Sequence, residues 1–152
     1  MPNESAPESA PMPVGPTSRS ARLVDNRLKP RLVIGAEIVR DFPTDRIDGV
    51  EAAWAPARLS GAAWAESQGR QIEHGHWDSR MKIDSVRSNW HRIVAVVCEG
   101  EVQGLMAIWT RPRVSQLNTS GDKVLYLDYL ESAPWNLRSA TPEPRFLGVG
   151  KV

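Results

Sequence analysis

A glycine-bearing string near residue 150 has the residue types that can bind a phosphate group. It consists of Arg145, Phe146, Leu147, Gly148, Val149 and Gly150, an R-x-x-G-x-G pattern. Glycines remove the side chains that would keep phosphate oxygens away from consecutive backbone N–H groups, and a following helix N-terminus adds a favourable dipole. Because short glycine patterns also occur in ordinary turns, the string alone predicts either a phosphate-binding loop or a turn.

Other reactive side chains form less complete patterns. His74, His76 and Asp78 could supply part of a metal site, but no distant Cys/His pair completes the ligand set, and we predict no metal site. The single cysteine, Cys98, lies in an apolar run, where we expect a buried side chain and not a catalytic thiol. The 6 tryptophans are spread along the chain and indicate core or pocket wall, not a platform for nucleic-acid bases.

The clearest structural pattern lies in residues 92–109. Two apolar runs flank Glu99 and Gly100, and a tight turn there needs a positive φ, which glycine adopts at little cost. The pattern predicts a β-hairpin. Gly104, in the second run, predicts a bulge or a close approach of another backbone segment.

A further strand is predicted over residues 123–131. Period-two alternation puts Val124, Tyr126, Asp128 and Leu130 on one face and Leu125, Leu127, Tyr129 and Glu131 on the other. Both faces are largely apolar, so we expect this strand to be central and to form one antiparallel sheet with the hairpin.

The remaining elements are read from composition and breaker residues. Residues 32–42 predict a first strand, and residues 110–122 predict a long loop. The alanine-rich region after Pro43 predicts either two short helical pieces or a helix that begins near Pro56. Helical spacing over residues 77–90 leaves that segment ambiguous, with Asp78 or Ser79 as the candidate N-cap.

The overall composition is that of a globular protein. The chain has 152 residues, of which 41% are hydrophobic and 24% charged, and its net charge of +1 does not favour nucleic acid or an anionic membrane. No run approaches the roughly 18 apolar residues of a membrane span, and we expect a cytoplasmic protein. Residues 1–30 are rich in Pro and Ser and predict a disordered tail before a domain at residues 31–152. The basic end of that tail is compatible with a solvated linker or a polyanion-binding arm.

The order of these features resembles the GNAT superfamily of acyl-CoA N-acyltransferases. Helical pieces, a tight hairpin, a loop and a strand ending in an acidic residue precede the R-x-x-G-x-G string. The motifs HWD at residues 76–78 and YLESAPWN at residues 129–136 also resemble a group of bacterial proteins of this type. The resemblance covers roughly residues 77–152. It implies an α/β (α+β) fold, the N-terminal portion of a GNAT-like domain, with a mixed, mostly antiparallel sheet and flanking helices.

The resemblance also implies a set of site residues. The pantetheine arm of acetyl-CoA would bond the strand end at Leu130, Glu131 and Ser132, and the pyrophosphate would lie on residues 145–150. The general base would be Glu131 or Asp128, with Glu131 preferred because it is nearer the expected thioester. The alternative for either carboxylate is a structural role, satisfied by tyrosine or backbone donors.

Two departures from the family pattern keep the functional alternatives open. Residues 133–144 form an insertion that could cover the acceptor cleft, and the helix expected after Gly150 is missing, so the glycine loop is expected to be incomplete and to bind acetyl-CoA weakly at most. The implied function is acyl transfer, in particular acetyl transfer, to an amine. A competing hypothesis is an inactive form that acts as an interaction module, as a homo-oligomer or with a completing partner chain. A third is an unrelated α+β binding module.

Overall fold

The computed structural model describes residues 18–72, 78–82, 91–115, 121 and 123–149. This part of the chain forms one antiparallel sheet with one α-helix against it. The strands are β1 (Ser18–Asp25), β2 (Leu32–Arg40), β3 (His91–Cys98), β4 (Glu101–Val114), β5 (Lys123–Ser132) and β6 (Phe146–Leu147), and the helix is α1 (Ile47–Ser67). Short 3-10 segments lie at Thr44–Arg46, Ser79–Lys82 and Pro134–Asn136. The sheet order is β5-β4-β3-β2-β1-β6. The predicted α+β class with a mostly antiparallel sheet is confirmed.

The hairpin forms as its turn residues predict. Strands β3 and β4 are joined by Glu99 and Gly100, whose φ angles of 53° and 78° give the turn that matches the twist of a two-residue hairpin. Opposite Val96 and Val97, the partners are Gly104 and Val102, so Gln103 is the extra residue of a bulge. Gly104 also allows a close approach, since a Cβ there would lie 2.8 Å from Val149 Cγ1. Strands β3, β4 and β5 form one antiparallel sheet, as predicted.

Strand β1 corrects the prediction of a disordered tail through residue 30. Residues 18–25 pair with Leu32 to Val39 of β2, and Leu23 is buried. The Pro/Ser-rich composition that predicted disorder comes mainly from residues 1–17, which lie outside the described residues. A strand with polar, exposed residues at its start gains its stability from its partner, and this cannot be read from its own composition.

Helix α1 corrects the prediction of a break near Pro56. It runs without interruption from Ile47 to Ser67 with Pro56 inside. Proline lacks the N–H that would bond Ala52, but both residues are exposed, so water can satisfy the freed carbonyl. The opposite face of α1 packs on the sheet, and that burial holds the helix together across the proline.

Two sheet predictions are wrong in their details. Strand β4 continues to Val114, so residues 110–114 are not loop. Strand β5 lies at the edge of the sheet formed by the described residues, not at its centre. Its apolar side chains are correspondingly exposed, with Leu125 at 74% and Leu127 at 46%.

The main core lies between α1 and strands β3, β4 and β5. Ile47, Val50 and Trp54 of the helix pack with buried residues of the sheet, among them Ile93, Ala95, Leu105, Ala107 and Tyr129. Cys98 is buried, as predicted, in a second cluster with Leu23, Ala36, Phe146 and Val149. Among the described residues, no helix has the length and apolar character needed to cross a membrane.

Candidate functional site

The end of β5 directs backbone polar groups toward the open edge of the sheet. The Ala133 N–H donates to the Gln103 carbonyl at 2.9 Å. Opposite residues in an antiparallel pair alternate between hydrogen-bonded and non-hydrogen-bonded positions, so Glu131 bonds Leu105 across the ladder. The backbone groups of Leu130 and Ser132 therefore point away from β4. No strand of the described residues covers them.

The Glu131 carboxylate lies on the face of the sheet that α1 covers. Arg58 of α1 donates to Glu131 Oε1 from Nε at 3.1 Å and from Nη2 at 2.9 Å. The same guanidinium donates to both oxygens of Glu51, at 2.5 Å and 3.1 Å. All three side chains are largely buried, with 13%, 11% and 4% of the side chain exposed for Arg58, Glu131 and Glu51. One guanidinium is thus shared by two buried carboxylates.

Two hydroxyl groups complete this cluster. The Tyr129 hydroxyl donates to Glu131 Oε2 and lies 3.2 Å from the Ser79 hydroxyl. The Ser79 backbone N–H donates to Glu51 Oε1 at 2.8 Å. The 3-10 segment that carries Ser79 is therefore tied to both α1 and β5. We call the group Glu51, Arg58, Ser79, Tyr129 and Glu131 the acidic cluster.

The two carboxylates of the acidic cluster have opposite pKa shifts. Burial raises the pKa of Glu51, but hydrogen bonds from Arg58 and Ser79 outweigh it and hold that pKa below its ordinary value. Burial raises the pKa of Glu131 above its ordinary value, against the Tyr129 hydrogen bond and the charge of Arg58. Burial and the bond to Glu131 also raise the pKa of Tyr129. Because a general base works best with a pKa near the working pH, Glu131 is the more suitable proton acceptor.

Asp128, the other predicted base, is directed to a different partner. The register of β5 shifts between Leu127 and Tyr129, so Asp128 is a bulge residue. Its carboxylate lies 2.7 Å from His91 Nε2, and the His91 and Trp109 rings pack edge to face with their centroids 4.8 Å apart. His91 is buried, and its Nδ1 has no partner among the described residues. Asp128 and Glu131 thus belong to separate groups.

Two residues of the predicted glycine loop form a short strand. Phe146 and Leu147 form β6, which pairs with Asp25 and Val24 of β1. The Arg145 N–H donates to the Trp135 carbonyl and the Phe146 N–H to Asn136 Oδ1, both at 2.9 Å. Gly148 has a φ of 91°, a conformation that favours glycine. Gly150 lies outside the described residues.

The charge of Arg145 is also engaged within the protein. Its guanidinium donates to Glu101 Oε2 at 2.6 Å and to Glu99 Oε2 at 3.1 Å. Val149 is buried against Gly104. The N–H groups of Arg145 and Phe146 are bonded internally, while those of Gly148 and Val149 have no partner among the described residues, so both the pyrophosphate site at residues 145–150 and the pantetheine contacts at Leu130 and Ser132 stay predictions.

Several residues of the site were not predicted from the sequence. Glu51 and Arg58 are seven residues apart and so share a helix face, a spacing that could have been read from the sequence had α1 been predicted as continuous. For Ser79 the sequence indicates only a role as a helix cap. Of the residues weighed as metal ligands, Asp78 pairs with Arg80, and His74 and His76 lie outside the described residues. No group of metal ligands occurs among the described residues.

Comparison of the chain with protein-family models, with curated proteins and with solved structures gave no match.

Proposed function

We propose that the chain catalyses transfer of an acyl group, in particular acetyl, from acetyl-CoA to an amine, with Glu131 as the general base. The observation that carries the proposal is the coincidence of two features within three residues. Glu131 is a buried carboxylate with a raised pKa, and its neighbours Leu130 and Ser132 present backbone groups at an open strand edge. Acyl transfer to an amine needs both a proton acceptor and a means of positioning an amide-bearing donor.

Each group has a separate task in this proposal. The backbone groups of Leu130 and Ser132 bind the extended arm of the donor as an added strand would bind. Acetyl-CoA would supply the thioester, whose carbonyl carbon the amine would attack; the C–S bond would then break, and CoA would leave as a thiolate that takes up a proton. Glu131 accepts the proton of the attacking amine, and Arg58 and Tyr129 fix the orientation of its carboxylate. Glu51, with its lowered pKa, keeps Arg58 in place when Glu131 becomes protonated.

The test measures binding and turnover separately. Saturation-transfer NMR with acetyl-CoA reports binding, and release of the CoA thiol in the presence of a panel of amines reports turnover. Glu131→Gln should keep binding and reduce turnover by about 10²- to 10⁴-fold, the range for loss of a general base. The exposed Glu143→Gln serves as the matched control and should match the wild type in both measurements.

A second pair of variants tests the strand edge. Ser132→Pro removes an N–H that points away from β4, so it should weaken acetyl-CoA binding without breaking the β4 ladder. Glu131→Pro removes an N–H that faces β4 and should unfold this edge. Absence of acetyl-CoA binding at millimolar concentration in the folded wild-type protein would contradict the proposal.

The exposed edge also favours a second candidate function, that of a non-catalytic interaction module. Leu125, Leu127 and Leu130 are exposed along β5, and such an edge can pair with the same strand of a second copy. Light scattering after size exclusion should then show a dimer that Leu125→Lys converts to a monomer. A monomer at every concentration of the wild-type protein would exclude this candidate.

A further inference from the structure

The face of the sheet that α1 does not cover is also apolar. Ile93 and Ala95 of β3 pack toward α1, and since successive side chains of a strand alternate, their neighbours lie on the opposite face. The register of the sheet extends that face through β4 to β5. We call the surface formed by the following residues the apolar face: Val94, Val96, Met106, Ile108, Leu127 and Leu130.

The apolar face is accessible to a partner. Leu127 is 46% exposed and Leu130 is 48% exposed, and Val94 and Met106 are half-buried. No helix of the described residues packs on this side, because α1 lies on the other. Sheets bury their apolar faces against a further layer of structure. The apolar face therefore has the character of an interaction surface.

A cavity of about 170 Å³ lies in the apolar face. Val94, Met106 and Leu127 are among its lining residues. The cavity is smaller than the roughly 300–1,000 Å³ that is typical of small-molecule sites. An apolar cavity of about 150 Å³ holds a benzene ring, so this one has room for one large apolar side chain. Its size favours an anchor residue of a polypeptide over a small ligand.

Two arginines border the apolar face on the side of β1 and β2. Arg40 lies opposite Val94 in the ladder, and Arg19 lies opposite Ile38. Both arginines are exposed, and neither has an ion-pair partner among the described residues. As diagonal neighbours on adjacent strands they are about 7–8 Å apart, so their charges repel each other. An acidic group placed between them would relieve this repulsion.

The acids closest to this face are already neutralised. Asp41, which follows β2, pairs with Arg92 at 2.9 Å. Asp25, at the far end of β1, pairs with Arg27 at 2.7 Å. Glu131 is among the residues that line the cavity, but its carboxylate is bonded by Arg58 on the α1 side of the sheet. The border of the apolar face therefore carries a positive charge.

We infer that the apolar face binds an amphipathic α-helix of another polypeptide, with one large apolar side chain in the cavity and acidic side chains beside Arg19 and Arg40. A helix with its side chains is about 10–12 Å wide, and the three strand intervals from β2 to β5 span about 14 Å, so one helix covers the face. A strand added at the edge of β5 would leave both arginines without a partner. The inference does not depend on acyl transfer.

The probe is a synthetic helical peptide of about 18 residues, or about 27 Å, with leucines and one phenylalanine on one face and glutamates along one flank. Its counterpart has glutamine in place of each glutamate. Calorimetry should show saturable binding of the glutamate peptide, about two- to thirtyfold tighter than that of its counterpart, the range for two exposed ion pairs. The double variant Arg19→Gln/Arg40→Gln should bind both peptides equally. Arg22→Gln should retain the preference, because Arg22 is exposed on the other face of β1.

Leu127→Glu tests the apolar contact at an exposed position. If its circular dichroism matches the wild type, it should bind either peptide at least tenfold more weakly, because it removes an apolar contact beside the cavity and buries a carboxylate under the peptide. Leu59→Glu is the matched control, since Leu59 is 75% exposed on α1, and it should bind as the wild type does.

Four results would overturn the inference. They are the absence of saturable binding of the glutamate peptide, equal affinity of the wild type for both peptides, retention of the preference in Arg19→Gln/Arg40→Gln, and wild-type affinity in folded Leu127→Glu. Light scattering adds a further one. A wild-type dimer that persists in Leu125→Lys and dissociates in Leu127→Glu would assign the apolar face to a second copy of the chain.

Discussion

Replacement of Arg58 by methionine should destabilise the protein more at neutral pH than in acid. Arg58 donates to both Glu51 and Glu131, and methionine keeps much of the aliphatic volume while removing all the donors. The two carboxylates then remain buried without their cation. Removal of one partner from a buried ion pair costs about 3–5 kcal/mol, which for a chain of this size corresponds to a fall in Tm of about 6–20 °C.

The pH dependence follows from the two pKa shifts. Glu51 has a lowered folded pKa, so its contribution to stability is present above its ordinary pKa of 4.5 and is lost as pH falls through the folded value. Glu131 has a raised folded pKa, so its contribution is present below 4.5 and is lost as pH rises through the folded value. In the wild type the two trends oppose each other. Without Arg58, burial is no longer offset by a nearby cation, so the pKa of each carboxyl should be higher than in the wild type. The variant should therefore lose the most stability at neutral pH, where both buried carboxyls would have to be charged.

Urea unfolding followed by tryptophan fluorescence at neutral pH and at about pH 4 measures this difference. The difference in free energy of unfolding between the wild type and Arg58→Met should be smaller in acid, where both carboxyls gain protons. Arg80→Met is the matched control, because Arg80 pairs with Asp78 but is 57% exposed. Arg80→Met should lower the free energy of unfolding by less than about 1 kcal/mol. An Arg58→Met loss that is the same at both pH values, or no larger than that of Arg80→Met, would refute the assigned role of the shared guanidinium.

Three other tests, each at a separate part of the structure, use equilibrium unfolding. At neutral pH, Glu51→Gln should lower the free energy of unfolding by about 1.5–3 kcal/mol because it weakens charge-assisted bonds from Arg58 and Ser79. Glu131→Gln should lower it by less, because the fold already disfavours the charge of Glu131. The reverse order of the two losses would show that the pKa assignments are wrong. Gly104→Val should lower the free energy of unfolding by about 1–3 kcal/mol, since its Cβ would lie 2.8 Å from Val149. If this close approach is the cause, adding Val149→Ala to the Gly104→Val variant should recover part of the lost stability. Gly148→Ala should cost about 1–3 kcal/mol because its φ is 91°, and unchanged stability would show that the fold does not require that conformation.

The elements that could be predicted best from the sequence are those whose structure depends on adjacent residues. The Glu99-Gly100 turn and its flanking apolar runs predicted the β3–β4 hairpin because turn geometry is set by two residues. Strand β1 could not be predicted in the same way. Its stability comes from pairing with β2 and from burial of Leu23, and neither is visible in a segment whose first residues are polar.

The acidic cluster shows how one local error hides a site. A helix broken at Pro56 would place Glu51 and Arg58 on separate pieces with no fixed phase between them. The continuous helix α1 puts both on the face toward β5, where Arg58 meets Glu131, 73 residues further along the chain. Glu131 could be named from its place at a strand end, but the partners that set its pKa required the tertiary structure. The GNAT-like identity of the fold stays a prediction.

The bulge at Asp128 explains why the choice between the two candidate bases could not be made from sequence. Strict alternation puts Asp128 and Glu131 on opposite faces of β5. An extra residue between Leu127 and Tyr129 breaks that alternation, and the Asp128 carboxylate meets His91, which shares the α1 face of β3 with Ile93. Both acids are therefore on the side of α1, and their partners distinguish them: His91 holds Asp128, whereas Glu131 lies beside the open edge at Leu130 and Ser132. The proposal of Glu131 as the base rests on this separation.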